Sequence, residues 1–292
     1  MVVATGFFDG VHLGHRLVID RLVSAAHERG TESLVVTFWP HPRTVLQNGA
    51  RDLRLLTSLR EKKDMLYAMG VDRVEVLNFT KPFSRLSTAE YLKQYLIDRF
   101  GADAILLGYD NRIGFNAGTT DEIAAEAEAL GLEVIRTDFI EVSGLTVSST
   151  KIREALAHGK LDMAASMLGY DYSLEGVVVS GNRIGRTIGF PTANMQLYEP
   201  LKLVPGNGVY LVRVSVLGKF FHGMCNIGVR PTIGRDSKPI IETNIFDFDE
   251  EIYGLDINLT FLEKIRDERR FSSLDDLRCQ LSLDRDYCKS KL

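Results

Sequence analysis

Apolar residues in the first half of the chain occur in short runs that alternate with segments of helical periodicity. Five runs rich in valine, isoleucine and leucine predict buried strands, and the segments between them repeat apolar residues as amphipathic helices do. This alternation is typical of a doubly wound, Rossmann-like α/β domain with a parallel sheet, which binds ligands at the carboxyl ends of its strands. The predicted strands are Val2–Thr5, Ser33–Phe38, Arg73–Leu77, Ala104–Leu107 and Leu132–Thr137, and the predicted helices are Leu17–Arg29, Ser58–Met69, Thr88–Arg99, Asp121–Leu130 and Ser149–Ala157.

The pattern changes near Gly169, beyond which apolar and polar residues approximate a two-residue alternation. Short β segments separated by glycine and proline, followed by one helix over Ser273–Lys289, predict a small antiparallel β-barrel with a terminal helix. We therefore predict an N-terminal domain over 1–158, a linker over 159–172 and a C-terminal domain over 173–292. The predicted β segments are Leu174–Ser180, Val209–Leu217, Phe220–Asn226, Ile240–Phe246 and Asp256–Phe261.

Composition narrows the class of protein. The 292 residues suffice for two hydrophobic cores, and the net charge of −4 argues against bulk attraction to nucleic acid or anionic membranes. Three cysteines without a C-x-x-C motif fit a reducing compartment. No apolar run could span a bilayer, and the N-terminus does not resemble a signal peptide. We expect a cytoplasmic protein that acts on small molecules, without nucleic-acid or membrane partners; weak homo-oligomerisation stays open.

The stretch G-F-F-D-G-V-H-L-G-H at residues 6–15 joins the first predicted strand to the first predicted helix. Gly6 and Gly10 permit a tight turn, and the helix N-terminus offers unpaired N–H groups to an anion. His12 and His15 are three residues apart and share one face of the first helical turn. The glycine between them leaves room for phosphates. An ordinary βα turn or a zinc site would use similar residues, but no third zinc ligand lies nearby, so we predict a nucleoside-triphosphate site.

Three further groups follow predicted strands. After the second predicted strand, Pro40 and Pro42 orient His41 and Arg43. After the fourth, Asp110 could accept a hydrogen bond from a ribose hydroxyl or an adenine amine. The segment S-S-T-K-I-R at 148–153 combines hydroxyls, a helix N-terminus and Arg153, which suits phosphate binding. A simple helix N-cap is the alternative for the hydroxyls.

These motifs carry a family resemblance. The 6–15 stretch together with V-S-S-T-K-I-R resembles the adenylyltransferase half of the bifunctional bacterial riboflavin kinase/FAD synthetases, within the H-x-G-H nucleotidyltransferases. The resemblance implies that the FMN phosphate attacks the α-phosphorus of ATP, with Mg²⁺ present and pyrophosphate leaving. His12 and His15 would then donate to the triphosphate from one side. The other implied ATP contacts are Gly6, Phe8, Asp9, Gly10, Gly14, Asp110, Ser149, Thr150 and Arg153.

A glycine-rich stretch at 176–194 is the first chemical feature of the second half. Gly181 and Gly185 lie beside Arg183 and Arg186, a combination that can wrap phosphates, although no P-loop motif is present. A β-hairpin could use the same glycines. The stretch ends in F-P-T-A-N, in which Thr192 and Asn194 fall on one side of an extended strand. Two neutral oxygens of this kind suit Mg²⁺ bound to ATP phosphates.

G-F-P-T-A-N, with G-V-Y at 208–210, G-V-R-P-T at 228–232 and Glu242-Thr243, resembles the riboflavin kinase module of the same family. Members of that family usually have E-T-H at the last of these positions, where this chain has Asn244 in place of the histidine. The resemblance implies γ-phosphoryl transfer from ATP, with Glu242 as the general base for the ribityl 5′-hydroxyl. It also implies flavin contacts by Arg266 and Phe271, in a segment similar to the family's R-x-E-x-x-F. Taken alone, Glu242 would be an ordinary solvated strand residue and Phe271 a hydrophobic anchor.

The leading hypothesis is an enzyme that converts riboflavin to FMN and FMN to FAD. Thr146 and the stretch 111–114 depart from the family's pattern, and they keep open a riboflavin kinase with a weakened adenylyltransferase half. A flavin-sensing protein is a non-enzymatic alternative, against which the intact candidate residues argue. An aminoacyl-tRNA synthetase fragment would share H-x-G-H, but the chain lacks K-M-S-K-S and a basic charge.

Overall fold

The computed structural model of this chain describes residues 1–46, 53–108, 112–116, 118–137, 147–181, 184–229 and 239–292. It divides into two units, Met1–Ser149 and Thr150–Leu292, each with its own sheet. The predicted domain limits at 158 and 173 remain predictions. The segment predicted as a linker contains helix α7, Leu161–Leu168, which buries four apolar side chains within the second unit. No helix in the described part of the chain is long and apolar enough to cross a membrane.

A parallel sheet of five strands in the order β3-β2-β1-β4-β5 is the framework of the first unit, which confirms the predicted α/β class. Strand β1 lies at its centre, and all four of its residues are buried because it pairs with both β2 and β4. The strand order reverses between β1 and β4, so their carboxyl ends flank the crevice where open α/β sheets bind ligands. The strands are β1 Val2–Thr5, β2 Ser33–Trp39, β3 Arg73–Asn78, β4 Ala104–Leu107 and β5 Glu133–Arg136.

The helices of the first unit lie close to their predicted positions, with one informative difference. Helix α1 begins at Leu13, four residues before the predicted start, because the side chain of His12 caps it. Helix α4 is also short and continues as a π-helical turn over Leu92–Ile97. The helices are α1 Leu13–Glu28, α2 Pro42–Leu46, α3 Leu59–Ala68, α4 Thr88–Tyr91 and α5 Thr120–Ala129, and α6 Ser149–Ala157 begins at the end of this unit.

A closed barrel of six strands in the order β10-β7-β6-β11-β8-β9 forms the second unit, as predicted for this half. Helix α9 packs on its outer wall, where Cys288 joins a cluster with Val209, Leu211 and Met224. Strand β7, Ala193–Leu197, begins within the F-P-T-A-N segment and is not among the predicted β segments. The elements are β6 Ser173–Val179, α8 Ile184–Thr187, β7 Ala193–Leu197, β8 Gly208–Val216, β9 Lys219–Val229, β10 Pro239–Ile245, β11 Asp256–Arg266 and α9 Leu274–Ser290.

Candidate active sites

The turn between β1 and α1 has an unusual backbone. Phe8, Gly10 and Val11 adopt φ values of 52°, 82° and 35°, in the left-handed region. Glycine adopts this region readily, but a β-branched residue such as valine does so only when its surroundings impose it. Strain of this kind persists where neighbouring contacts determine the conformation, and it concentrates at ligand-binding turns.

Asp9 supplies those contacts. Its carboxylate is buried and accepts hydrogen bonds from the backbone N–H groups of Leu56 and Thr57, at 2.9 and 3.1 Å from Oδ1. The N–H of Gly10 donates in turn to the hydroxyl of Thr57, at 3.1 Å. The carboxylate predicted as an ATP contact is therefore directed at the 56–57 segment, and it fastens the turn to the body of the unit.

The two histidines of H-x-G-H stack on each other, as their predicted common face requires. Their ring centroids lie 3.6 Å apart with an interplanar angle of 15°. Nδ1 of His12 accepts a hydrogen bond from the backbone N–H of His15, at 3.3 Å. A neutral imidazole that accepts at Nδ1 carries its proton on Nε2, so His12 is a donor at its other nitrogen.

His15 is held in the neutral form. Burial lowers the pKa of this imidazole well below 6.5, and the nearby His12 and Lys62 lower it further. Its Nδ1 is buried without a hydrogen-bond partner among the described residues, and the Phe8 ring packs edge-on against the imidazole with ring centroids 5.3 Å apart. An unpaired polar atom beside a cavity is costly unless a ligand completes it, so this atom marks a binding position.

The neutral state of His15 predicts how the stability of the first unit depends on pH. The unfolded chain takes up a proton near pH 6.5 and the folded unit does not, so the free energy of unfolding should fall as pH drops below about 6.5. We expect a shallower fall in His15→Asn. Urea unfolding followed by the fluorescence of the single tryptophan, Trp39 in β2, measures it. His27→Asn, at an exposed site on α1, is the control, and equal slopes in His15→Asn and the parent would contradict the assignment.

A cavity of about 800 Å³ opens at the carboxyl edge of the parallel sheet, between Gly6 after β1 and Gly108 after β4. His15 lines it. A set of aromatic residues that pack on one another at 5.5–5.9 Å forms an apolar wall, and two arginines add positive charge. This combination suits a planar ring system that carries phosphate. The aromatic residues are Phe38, Phe79 and Phe83, and the arginines are Arg43 and Arg112.

Sequence reasoning missed this aromatic wall. Phe38 lies near the end of β2 and Phe79 directly follows β3, so their place after predicted strands was the available signal. The Ser149 hydroxyl donates to the backbone oxygen of Asp9, at 3.0 Å, which brings the start of S-T-K-I-R to the turn. Thr150 and Arg153 follow on α6, and Asp110 lies outside the described residues.

In the barrel, Glu242 lies between two amides. It is directly opposite Asn194 of β7 on one side and Asn226 of β9 on the other. Directly opposed residues of antiparallel strands project from the same face, so the carboxylate is bracketed by both side chains. On the next two strands, Val209 of β8 lies opposite Asn226, and Arg266 of β11 lies opposite Val209. These directly opposed residues form one row across the barrel wall. The sequence analysis did not identify Asn226, which only the strand register places beside Glu242.

Four residues of this row, Glu242, Asn226, Val209 and Arg266, line a cavity of about 290 Å³ beneath α9. The cavity brings together five predicted site residues, namely Gly185, Thr192, Glu242, Arg266 and Phe271. A second cavity of about 240 Å³ is lined by Arg186 and by the acidic stretch 249–251, and Thr192 lines it too. Thr192 therefore lies where a ligand in one cavity would meet a ligand in the other.

Close packing explains the glycines near this site. A Cβ on Gly181 would collide with the side-chain amide of Asn194, and a Cβ on Gly185 would collide with the backbone oxygen of Phe190. Both glycines are thus required by contacts with residues around the cavities, whether or not they also contact phosphate. Arg183 lies outside the described residues.

Asn244 occupies the position where the family's pattern has the histidine of E-T-H. Its side chain is buried and its Nδ2 donates to the backbone oxygen of Pro191, at 2.7 Å. The residue after Pro191 is Thr192, so this bond ties β10 to the segment that presents the threonine. An amide can perform this fixing role as well as an imidazole, because the role needs only a donor.

Arg266 is fixed by helix α9. Its guanidinium makes a two-pronged ion pair with Asp284, at 2.7–3.0 Å, and lies 5.8 Å from the centre of the Phe271 ring. Asp284 is only 2% exposed and also accepts from Gln280, at 2.6 Å. The predicted flavin contact is thus held in place by the helix that covers the cavity.

Removing the buried carboxylate should loosen this arrangement. We expect Asp284→Ala to destabilise the second unit by about 3–5 kcal/mol, because the Arg266 charge loses its partner in a poorly solvated place. It should also raise the KM for riboflavin. Thermal unfolding and steady-state kinetics measure the two effects, with Asp286→Ala on the exposed side of α9 as the control. Unchanged stability and KM in Asp284→Ala would contradict the role of the pair.

Comparisons with known proteins match each half of the chain to a family model. Residues 1–151 match the family model for FAD synthetase, and residues 168–292 match that for riboflavin kinase. The bifunctional riboflavin kinase/FMN adenylyltransferase of Bacillus subtilis is 36% identical over 97% of this chain and 90% of its own length. The protein of the same name from Listeria monocytogenes is 38% identical with the same coverage.

A solved structure also resembles the whole chain. The structure described as a macrolide-efflux protein from Streptococcus pneumoniae superposes with a TM-score of 0.91 at 32% identity, covering 99% of this chain and 93% of that one. Its description names efflux, whereas both family models and the curated relatives name flavin transferases. With both family models matched in order and relatives similar over nearly their full length, the chain belongs to the bifunctional riboflavin kinase/FMN adenylyltransferase family.

Proposed function

We propose that this chain makes FAD from riboflavin in two ATP-dependent steps. The second unit phosphorylates riboflavin to FMN, and the first unit adenylylates FMN and releases pyrophosphate. The observation that carries the proposal is the presence of two built sites in one chain. His15, which stacks on His12, lines one cavity, and Glu242 lines another. Two relatives that are similar in sequence over 97% of the chain carry both activities in their names.

In the adenylyl transfer, an oxygen of the FMN phosphate attacks the α-phosphorus of ATP. The new bond forms there as the bond to the pyrophosphate oxygen breaks. His12 Nε2 and His15 donate to the triphosphate as negative charge moves onto the leaving group, aided by the N-terminus of α1. The aromatic wall of Phe38, Phe79 and Phe83 accepts the flavin ring. The enzyme supplies position and charge, and no covalent intermediate is required.

In the kinase reaction, riboflavin occupies the cavity beneath α9 and ATP the neighbouring one. The Glu242 carboxylate accepts the proton of the ribityl 5′-hydroxyl while that oxygen bonds to the γ-phosphorus and ADP leaves. Asn194 and Asn226 on either side keep the carboxylate oriented. Phe271 and Arg266 contact the flavin. Thr192, which lines both cavities, lies at the junction where the phosphoryl group is transferred.

Mg²⁺ suits the residues at this junction. Thr192 and Asn194 offer neutral oxygen donors beside the Glu242 carboxylate, a sparse set of hard ligands that leaves places for water and phosphate oxygens. We propose that these two residues hold the ion. When bound, Mg²⁺ would neutralise charge on the phosphate oxygens of ATP.

Incubation of the protein with riboflavin, ATP and Mg²⁺, followed by chromatography of the flavins, tests the proposal. FAD as the product supports two activities. FMN alone would support a riboflavin kinase with a weakened adenylyltransferase half, the alternative suggested by Thr146 and the 111–114 stretch. Unchanged riboflavin would support a flavin sensor. We further propose a cytoplasmic location, because three cysteines without a C-x-x-C motif fit a reducing compartment. The net charge of −4 supports the proposal that the protein has no nucleic-acid partners.

A further inference from the structure

Lys62 of α3 is a fully buried cation near the adenylyl-transfer site. Its side chain has 0% exposure, its Nζ lies 3.3 Å from the hydroxyl of Thr37, and it stands 3.7 Å above the centre of the Phe7 ring. Lysine is almost never fully buried unless it is paired. Among the described residues, no carboxylate lies within 4.0 Å of this ammonium to form a salt bridge.

The acid that acts electrostatically on Lys62 is Asp9, whose carboxylate already accepts from Leu56 and Thr57. Burial lowers the pKa of the Lys62 ammonium to about 8, although Asp9 opposes the change, so the group is still charged at neutral pH. A charge kept in so unfavourable a place at the cost of stability points to a role in the reaction.

A chain of hydrogen bonds connects Lys62 to the turn. The ammonium donates to the Thr37 hydroxyl, and that hydroxyl donates to the backbone oxygen of Phe7, at 3.2 Å. The Phe7 ring in turn meets the His41 ring, with centroids 4.2 Å apart. Phe7 lines the large cavity and Lys62 is not among its lining residues. Lys62 thus supports the cavity wall from behind.

We propose that Lys62 is a positioning residue for adenylyl transfer. Its ammonium holds the first residues of the 6–15 turn in place through Thr37 and Phe7, and it adds a fixed positive charge behind the stacked histidines. This inference rests on the proposed adenylyl transfer in the first unit. The groups that bear on the ammonium are Thr37 on β2, Phe7 and Asp9 in the turn, and His15 on α1.

The fixed charge has a defined effect on the site. Lys62 helps to keep His15 neutral, together with burial and His12. A triphosphate that docks at the turn then meets two neutral donors with a cation behind the cavity wall, and its negative charge favours the ammonium form of Lys62. Loss of Lys62 should therefore weaken ATP binding, misplace the turn and let His15 titrate at a higher pH.

The test compares two variants of the full-length chain. Lys62→Met keeps the length of the side chain and removes its charge, whereas Lys62→Arg keeps the positive charge. We expect Lys62→Met to lower kcat/KM for FAD formation roughly 10- to 100-fold, with a raised KM for ATP, and Lys62→Arg to recover part of it. Riboflavin kinase activity of the same samples is the internal control. NMR titration of the histidines, with His15 assigned through His15→Asn, should show a higher His15 pKa in Lys62→Met.

Two results would overturn the proposal. One is FAD formation within about twofold of the parent in folded Lys62→Met. The other is reduced activity with an unchanged His15 titration and an unchanged KM for ATP, as a merely structural lysine would give. If Trp39 fluorescence shows that Lys62→Met does not fold, the pair Thr37→Val and Thr37→Ser decides. Loss of FAD formation in Thr37→Val but not in Thr37→Ser supports the proposal. Equal rates of FAD formation in the two variants overturn it.

The same measurements distinguish failure of the proposed function from failure of the proposed role of Lys62. A parent protein that forms no FAD would refute adenylyl transfer itself. Equal FAD formation by the parent and Lys62→Met would refute only the role of Lys62.

Discussion

His15→Ala should lower the formation of FAD from supplied FMN and ATP by about 10²–10³-fold, the usual cost of removing one preorganised donor to a developing charge. The physical reason lies in the site. His15 lines the large cavity, stacks on His12 and has a buried Nδ1 without a partner among the described residues. Alanine removes a donor whose position was set before the substrate arrived. Single-turnover conversion of FMN to FAD measures the effect directly.

Three controls make the His15 result specific. Phosphorylation of riboflavin by the same variant should proceed at the parental rate, since that reaction is assigned to the barrel. Trp39 fluorescence should show that the first unit is folded. His27→Ala removes an exposed imidazole from the last turn of the same helix and should leave FAD formation unchanged. Loss of both activities in folded His15→Ala would contradict two separate sites.

Glu242→Gln should slow the phosphorylation of riboflavin by about 10²–10⁴-fold, the range for removal of a general base. Glutamine has almost the same shape, and it can still lie between Asn194 and Asn226. It cannot accept the proton of the ribityl hydroxyl, so the loss should appear in kcat with little change in the KM for riboflavin. Adenylylation of supplied FMN should proceed as in the parent.

Glu154→Gln is the matched control for Glu242→Gln, because it removes an exposed carboxylate of helix α6 outside both barrel cavities. It should not change the rate of FMN formation. Equal kinase rates in Glu242→Gln and the parent would show that the Glu242 carboxylate is not the base. A large rise in the KM for riboflavin with unchanged kcat would assign the residue to binding.

Much of the fold was predictable from local pattern. Each of the five predicted strands of the first half occurs within about two residues of its predicted limits. The clearest are β1 and β4, because a strand buried on both faces reads as a continuous apolar run. The barrel and its terminal helix were predictable from the two-residue alternation that follows Gly169. The motif that carries the histidines was also recognisable, since a glycine turn before a helix is a local feature.

Side-chain hydrogen bonds across the chain account for the features that were missed. Helix α1 begins early because the imidazole of His12 accepts from the backbone of His15. The carboxylate of Asp9, a predicted ATP contact, bonds to residues 47 and 48 positions later, and no local pattern indicates these partners. Lys62 looks like an exposed residue of an amphipathic helix, and only the packing of α3 reveals that it is buried.

The sequence by itself determined the order of the elements, the two kinds of sheet, the family and most of the candidate site residues, because periodicity and short motifs are properties of neighbouring residues. The tertiary structure alone decided which of those residues meet. It placed Asn194 and Asn226 on either side of Glu242 through strand register, it gathered Phe38, Phe79 and Phe83 into one wall, and it buried a lysine beneath the turn. Contacts between residues distant along the chain depend on how sheets and helices pack, and no local pattern encodes them.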